Sequence, residues 1–249
     1  MKRKYLKLTL LLLILFCLGC GSIYSVYSGT KGFFFPQRVD MQKADLSPEE
    51  RKLAELFFRA DQELQAMIRE LKTYEKNDPP RSADYFYSQF EYVNWVAISD
   101  LQGNLDTVYP KDLQKRLEKE NLLKDVQKKY PRKLQLGLPE KKSKTDMWIL
   151  KPLLKDYSLN GYIILGIDFQ SLINYNHQPE KLLVLTPGRI LWPGRYKTLT
   201  GKIKNQNWEK KLQNSVKGNV NIAKQRFFWF ARYIGIDPIV YLMRQPGKF

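Results

Sequence analysis

The sequence repeats one order of predicted elements: two strands, a helix and two further strands. In the first copy, residues 92–99 and 105–109 are rich in aromatic and β-branched side chains and flank turn residues, which predicts a hairpin. A helical pattern follows at 111–129, and residues 147–154 and 162–169 form a second predicted hairpin. This order is typical of an α+β module with an antiparallel sheet.

The second copy has the same plan with different loop lengths. Residues 181–185 and 189–192 flank a Pro-Gly turn, and a helical pattern comes next. Residues 227–233 and 236–243 then pair around Gly235. The predicted architecture is therefore two α+β modules in tandem.

A long helix is predicted ahead of both modules, over residues 47–77. Ser47 is a suitable N-cap, Pro48 takes the first helical position, and Glu50 completes a capping box. About thirty residues make a rod of roughly 45 Å, long enough to back two modules. Its apolar stripe mixes spacings of three and four without a sustained heptad, so packing against sheets is favoured over a coiled coil. The stripe consists of Leu53, Leu56, Phe57, Ala60, Leu64, Met67, Ile68 and Leu71.

Residues 1–19 have the pattern of an export signal. A basic start precedes an apolar run at residues 8–18, well short of the roughly 20 residues of a membrane-spanning helix. The Leu-Gly-Cys ending resembles a bacterial lipobox, although Cys17 stands where that motif usually has Leu. The resemblance implies a lipid on Cys20, a tether over residues 20–46, and a place in the bacterial envelope on the extracytoplasmic side, periplasmic or at the outer membrane. An ordinary secretory signal is the alternative.

The chain is strongly basic. Its formal net charge is +17, and +13 remains once Lys2, Arg3, Lys4 and Lys7 leave with the signal. Such a balance suits nucleic acid, anionic lipid or an acidic envelope polymer as a neighbour. Residues 111–144 are especially basic, which is typical either of a solvated helix face or of attraction to anionic head groups. Exported lipoproteins rarely meet nucleic acid, so no nucleic-acid partner is expected.

Sequence motifs for catalysis and metal binding are absent. The chain has no Gly-x-Ser-x-Gly elbow and no phosphate-binding loop, and His177 is its one histidine. If Cys17 leaves with the signal and Cys20 carries a lipid, no thiol remains for a disulfide, a zinc site or a nucleophile. We expect neither enzymatic activity nor a cofactor nor a metal site.

Four stretches of the sequence resemble the extracytoplasmic double Cache sensors, which are tandem PAS-like modules behind a long N-terminal helix. They are NWVAISDLQGNLDTVYP, KPLLKDYSLNGYIILGIDFQSL, LLVLTPGRILWPG and FFWFARYIGIDPIVYLMR. The first two are similar to the opening and closing hairpins of a membrane-distal module, and the last two to those of a proximal module. The resemblance implies an α+β fold with the distal module at residues 78–176 and the proximal module at 177–249.

The resemblance also implies a small-molecule pocket in the distal module, between its sheet and the loops after Lys129. The ligand-binding candidates are Tyr130, Arg132, Trp148, Lys151 and Asp168. Structural roles are the alternatives: Asp168 is placed to cap a helix, Trp148 suits a core, and Arg132 suits a solvated surface. Among the elements that the amino-acid-binding branch of the family uses, only Asp168 has a counterpart, so the class of ligand stays open.

The resulting hypothesis is a membrane-anchored protein that senses or binds a small organic ligand outside the cytoplasm. Double Cache proteins usually continue into an output domain, and this sequence ends at Phe249. The expected partners are therefore the ligand, the membrane through the lipid anchor, and a membrane-bound signalling protein. The alternative is a structural or accessory envelope lipoprotein whose basic surface binds anionic lipid or envelope polymer.

Overall fold

The computed structural model describes residues 46–74, 83–120, 122–123, 131–139 and 147–245. The predicted signal peptide, the tether, Cys20 and Tyr130 lie outside these ranges. From Ser47 onward the chain forms one compact unit. No helix within the described ranges is long and apolar enough to cross a membrane.

The predicted N-terminal helix is α1, Pro48–Thr73. Its capping box is formed, because the Glu50 N–H donates to Ser47 Oγ at 3.3 Å and the Ser47 N–H donates to Glu50 Oε2 at 2.8 Å. The helix ends at the C-cap Tyr74, so the predicted end at Asn77 is wrong by four residues. Its 26 residues span about 39 Å. The predicted apolar stripe is buried throughout, together with Asp61, which the apolar pattern did not include.

An antiparallel sheet, the first sheet, follows with the strand order β2-β1-β5-β4-β3. Both of its predicted hairpins are present. Strand β3 was not predicted, because three residues are too few for a periodic pattern. The strands are β1 Val93–Ser99, β2 Leu105–Tyr109, β3 Gln135–Gly137, β4 Met147–Lys155 and β5 Ser158–Ile167.

The helices around the first sheet differ from the prediction. A short helix ahead of β1, α2 Ala83–Gln89, was not predicted. The continuous helix predicted over 111–129 is wrong, because α3 is only Gln114–Leu117, with 3₁₀ turns at Lys111–Leu113 and Glu118–Glu120. Leu117 and the next apolar residue, Leu122, are five positions apart, a step that one helical stripe does not accommodate.

A second sheet repeats the topology of the first, in the order β7-β6-β10-β9-β8. Strands β6 to β10 occupy the positions that β1 to β5 occupy in the first sheet, in the same order, so the predicted duplication is confirmed. Strand β8 was not predicted. The elements are α4 Phe169–Ile173, β6 Leu182–Thr186, β7 Arg189–Trp192, α5 Thr200–Lys204, α6 Trp208–Asn214, β8 Lys217–Ile222, β9 Gln225–Ile234 and β10 Asp237–Arg244.

The largest apolar core lies between α1 and one face of each sheet. It joins Leu64 and Met67 of α1 to Leu165 of the first sheet and Tyr241 of the second. Smaller cores cover the opposite faces of the two sheets. The interpretation of α1 as the element that backs both sheets is therefore confirmed.

One turn of α1, here called the anchor turn (residues 60–63), receives polar contacts from three parts of the chain. Asp61 is 4% exposed and accepts from Arg232 of β9, with Nη2 to Oδ2 at 2.6 Å. The Tyr92 hydroxyl, just ahead of β1, donates to the Glu63 carbonyl at 2.8 Å. Asn176, between the sheets in sequence, accepts from the Ala60 N–H at 3.1 Å. These bonds fix the position of α1 along both sheets, which apolar packing alone leaves less specific.

We expect Asp61→Asn to lower the free energy of unfolding by about 1–3 kcal/mol, because it leaves the Arg232 guanidinium without its charged partner. The lower part of that range is favoured, since the Arg232 side chain is 36% exposed and water replaces part of the bond. Urea unfolding measures the change. Glu55→Gln, an exposed position on the same helix, is the matched control. An equal effect in the two variants would contradict the role of the ion pair.

Candidate functional site

A row of two tryptophans and two glycines crosses the outer face of the first sheet, the face turned away from α1. In register, Trp95 of β1 pairs with Gly166 of β5, Gly166 with Trp148 of β4, and Trp148 with Gly137 of β3. A Cβ atom on Gly166 would lie 2.1 Å from Trp95 Cε2, and one on Gly137 would lie 1.6 Å from Trp148 Nε1. Each indole therefore lies directly over a glycine of the neighbouring strand, and a side chain there would displace it.

The same face carries a second, partly polar row nearer the hairpin turns. Ser99 of β1 pairs in register with Tyr162 of β5, and both are buried. Burial raises the pKa of the Tyr162 hydroxyl. Alternation along the strands places these residues on one side of the sheet with the tryptophans. Leu117 and Leu123 pack over this face from the segment after β2.

Two polar atoms of this face, Trp148 Nε1 and Ser99 Oγ, are buried and have no hydrogen-bond partner among the residues that the structure describes. An unsatisfied buried donor or acceptor costs about 1–3 kcal/mol, so such atoms are uncommon and call for an explanation. A ligand with a hydrogen-bond acceptor would satisfy the indole N–H, and a donor or an acceptor would satisfy the hydroxyl. These two atoms make the outer face of the first sheet the candidate binding site of the described chain.

The outer face of the second sheet provides a comparison. Trp229 of β9 pairs with Gly218 of β8, the counterpart of Trp148 over Gly137. Trp208 of α6 packs edge-on against Trp229, with ring centroids 5.9 Å apart, and its own Nε1 donates to the Ile203 carbonyl at 2.8 Å. Trp208 thus covers Trp229, the counterpart of Trp148, and has its own N–H hydrogen-bonded.

The structure separates the residues that the sequence grouped as ligand-binding candidates. Trp148 lies on the outer face, 6% exposed. Lys151 lies on the opposite face of β4, where its ammonium donates to the carbonyl of Tyr74 at the end of α1. Arg132 is exposed in the turn ahead of β3. The structure therefore does not bring Lys151 to the face that Trp148 occupies.

Asp168 has the capping role that the sequence offered as its alternative. Its Oδ1 accepts from the N–H groups of Gln170 at 3.0 Å and Ser171 at 3.1 Å, at the start of α4. Its Oδ2 accepts from the Ser171 hydroxyl at 2.9 Å. These bonds occupy the carboxylate in a structural role.

Sequence reasoning missed several residues of the outer face, although signals for them existed. Gly166 interrupts an apolar strand, which marks a close approach by another group. Period-two alternation from Trp95 leads to Ser99, and it assigns both to one face. No group of three or more potential metal ligands occurs among the described residues.

Comparison with solved structures identifies the architecture. An extracellular ligand-binding receptor from Desulfohalobium retbaense matches with a TM-score of 0.52 and 14% identity, over 79% of this chain and 38% of the receptor. The extracellular domain of rpHK1S-Z16, a predicted histidine kinase, matches with a TM-score of 0.51 and 16% identity, over 78% of this chain and 90% of that domain. The fold is double Cache-like.

The likeness to these extracellular domains is one of fold, because sequence identity is low. This chain spans less than half the length of the Desulfohalobium receptor. No family model matches the chain, and no curated protein sequence matches it significantly. The double Cache-like fold agrees with the resemblance found in the sequence.

We expect Ser99→Ala to raise the free energy of unfolding by about 1 kcal/mol, because it removes a buried hydroxyl that has no partner. Ser171→Ala is the matched control, since it removes a hydroxyl that donates to Asp168, and it should lower the stability instead. Thermal and urea unfolding measure both. A loss of stability in Ser99→Ala equal to that in Ser171→Ala would mean that the Ser99 hydroxyl has a partner in the folded protein.

Proposed function

We propose that the protein is an extracytoplasmic, lipid-anchored sensor that binds a small organic molecule on the outer face of the first sheet. The observation that carries the proposal is the pair of buried, unpartnered polar atoms, Trp148 Nε1 and Ser99 Oγ, on a face lined by two indoles. The double Cache-like fold supports it, since the matched structures are extracellular and one is described as ligand-binding.

Binding without catalysis is the proposed activity of this face. Within the described ranges Ser99 Oγ has no hydrogen-bonded base, whereas a catalytic serine requires one. The division into a distal module at 78–176 and a proximal module at 177–249 is part of the proposal. A conformational change on ligand binding would be transmitted to a separate membrane-bound signalling protein.

Strand β3 is the proposed route from the ligand to the second sheet. Its Gly137 lies under Trp148, while the N–H of Leu136 donates to Asp237 Oδ2 of β10 at 2.7 Å. Just after β3, the Pro139 carbonyl accepts from Arg189 of β7 at 2.6 Å. A ligand that shifts the indole of Trp148 would press on β3, and residues 136 and 139 of this segment are hydrogen-bonded to side chains of β10 and β7.

The ligand proposal is tested by a thermal-shift screen of small organic compounds, followed by calorimetry on Trp148→Phe and Trp229→Phe. Because Phe lacks the indole N–H, we expect Trp148→Phe to weaken binding about tenfold or more. Trp229→Phe makes the same change on the second sheet and should alter the affinity less than about twofold. Ligand should also slow hydrogen exchange of the Leu136 amide in the wild type.

Two results would contradict the proposal. One is a screen in which no compound raises the melting temperature. The other is a ligand whose affinity falls equally in Trp148→Phe and Trp229→Phe, since binding would then respond to a general loss of packing. Unchanged exchange at Leu136 with intact binding would reject only the route through β3.

Lipidation of Cys20 is a separate part of the proposal, and it rests on the Leu-Gly-Cys ending of the leader. We expect the mature chain to begin at Cys20 and to carry the mass of attached acyl chains. Mass spectrometry of the N-terminal peptide, purified from membranes, measures this directly. An unmodified N-terminus near the same position would indicate an ordinary secretory signal instead.

A further inference from the structure

The segment that covers the outer face of the second sheet is far more basic than the rest of the fold requires. Between Arg189 and Arg226 the chain has ten basic residues and a single acidic one, Glu209, for a net charge of +9. The basic residues are Arg189, Arg195, Lys197, Lys202, Lys204, Lys210, Lys211, Lys217, Lys224 and Arg226.

Packing of α5 and α6 directs a group of these side chains into solvent. Ile203 and Trp208 are 0% and 2% exposed and pack on the sheet. Lys202, Lys204 and Lys210, which neighbour them in sequence, are exposed. Among the ion pairs of described residues, none involves these three lysines. Their charges are therefore available to an external anion.

Lys197, in the 3₁₀ turn directly ahead of α5, is exposed as well. Lys197, Lys202, Lys204 and Lys210 are called the basic face below.

The described cover of the first sheet provides an internal comparison. Residues 111–120 occupy the equivalent place after β2, and they contain four basic and three acidic residues. Over these described residues the net charge is therefore +1. The other basic residues of the first copy, at 124–144, lie largely outside the described ranges.

The basic face lies on the sheet that receives the first turns of α1. Asp61 contacts Arg232, and one turn earlier Phe57 stacks on Phe230, so the first half of α1 crosses the inner face of the second sheet, opposite the cover that carries the basic face. Glu50, in the first turn, is paired with Lys217 of β8. Ser47, the N-cap that bonds to Glu50, therefore lies near β8, the edge strand of this sheet.

We propose that the basic face binds the anionic head groups of a lipid bilayer. Lysine ammoniums are point charges on flexible stems, which suit a fluid array of phosphates. A single-stranded nucleic acid would instead favour exposed aromatic rings for stacking, and between residues 195 and 226 Val216 is the one large apolar side chain recorded as exposed. The proposal does not depend on the ligand proposed for the first sheet.

The test uses residues 46–249, which contain the whole compact unit and its three cores. Sedimentation with vesicles of phosphatidylcholine alone, or with about one third phosphatidylglycerol, measures binding. We expect binding to the anionic vesicles only, with an affinity that falls steeply as salt is raised beyond physiological strength.

The decisive comparison is between two triple variants with the same net charge. Lys202→Glu, Lys204→Glu and Lys210→Glu together should weaken vesicle binding at least about tenfold, since each charge near an anionic surface contributes appreciably. Lys111→Glu, Lys115→Glu and Lys119→Glu, at exposed positions of the first cover, should change it less than about threefold. Cooperative thermal unfolding of both variants establishes that each is folded.

Several outcomes would overturn the proposal. Equal loss in the two triple variants would mean that overall charge, and not the basic face, governs binding. Absence of binding to anionic vesicles at low salt would exclude a lipid partner. Binding to soluble polyphosphate without binding to vesicles would point to a soluble polyanion as the partner instead.

Discussion

The structure depends on the anchor turn of α1, where both sheets and the chain between them contact the same four residues. An apolar stripe on a helix permits sliding along a sheet, because dispersion and hydrophobic contacts have little direction. The Asp61–Arg232 pair and the bond from Tyr92 to Glu63 remove that freedom, since hydrogen bonds to charged and backbone groups have a defined geometry. Both sheets are thereby held at fixed positions along α1.

The duplication makes the two outer faces a natural comparison. The same strand order and the same Trp-over-Gly pairing occur in both sheets. In the second, Trp208 fills the face and donates its own hydrogen bond, so the cover is complete. In the first, buried polar atoms of Trp148 and Ser99 lack a partner in the part of the chain that the structure describes. A fold tolerates this cost of a few kcal/mol where another requirement, such as binding, retains the residues.

Much of the fold could be predicted from the sequence. The capping box, the stripe of α1 and the paired hairpins have local signals, so the helix start, the duplicated plan and the fold class were confirmed. The short strands β3 and β8 were not predicted, because so few residues do not show a recognisable hydrophobic periodicity. The continuous helix predicted over 111–129 was wrong for a different reason. Its many charged residues are typical of a helix, but the five-residue step from Leu117 to Leu122 does not fit one apolar stripe.

The candidate site was only partly predictable. The capping role of Asp168 was anticipated, because it follows from neighbours in sequence, whereas ligand binding by Trp148 stays a prediction. Lys151 was grouped with Trp148 although three positions along a strand place two side chains on opposite faces. Ser99 and Gly137 became recognisable only once strand pairing set them beside Tyr162 and Trp148.

The sequence by itself determined the elements that local chemistry specifies: where α1 begins, which residues it buries, and that one module plan occurs twice. Tertiary structure decided which side chains meet. The strand order brings β3 beside β4, and the anchor turn sets the position of α1 on both sheets. The physical reason is that capping and periodicity act within a few residues, whereas cross-strand register and long-range hydrogen bonds join residues far apart in the chain.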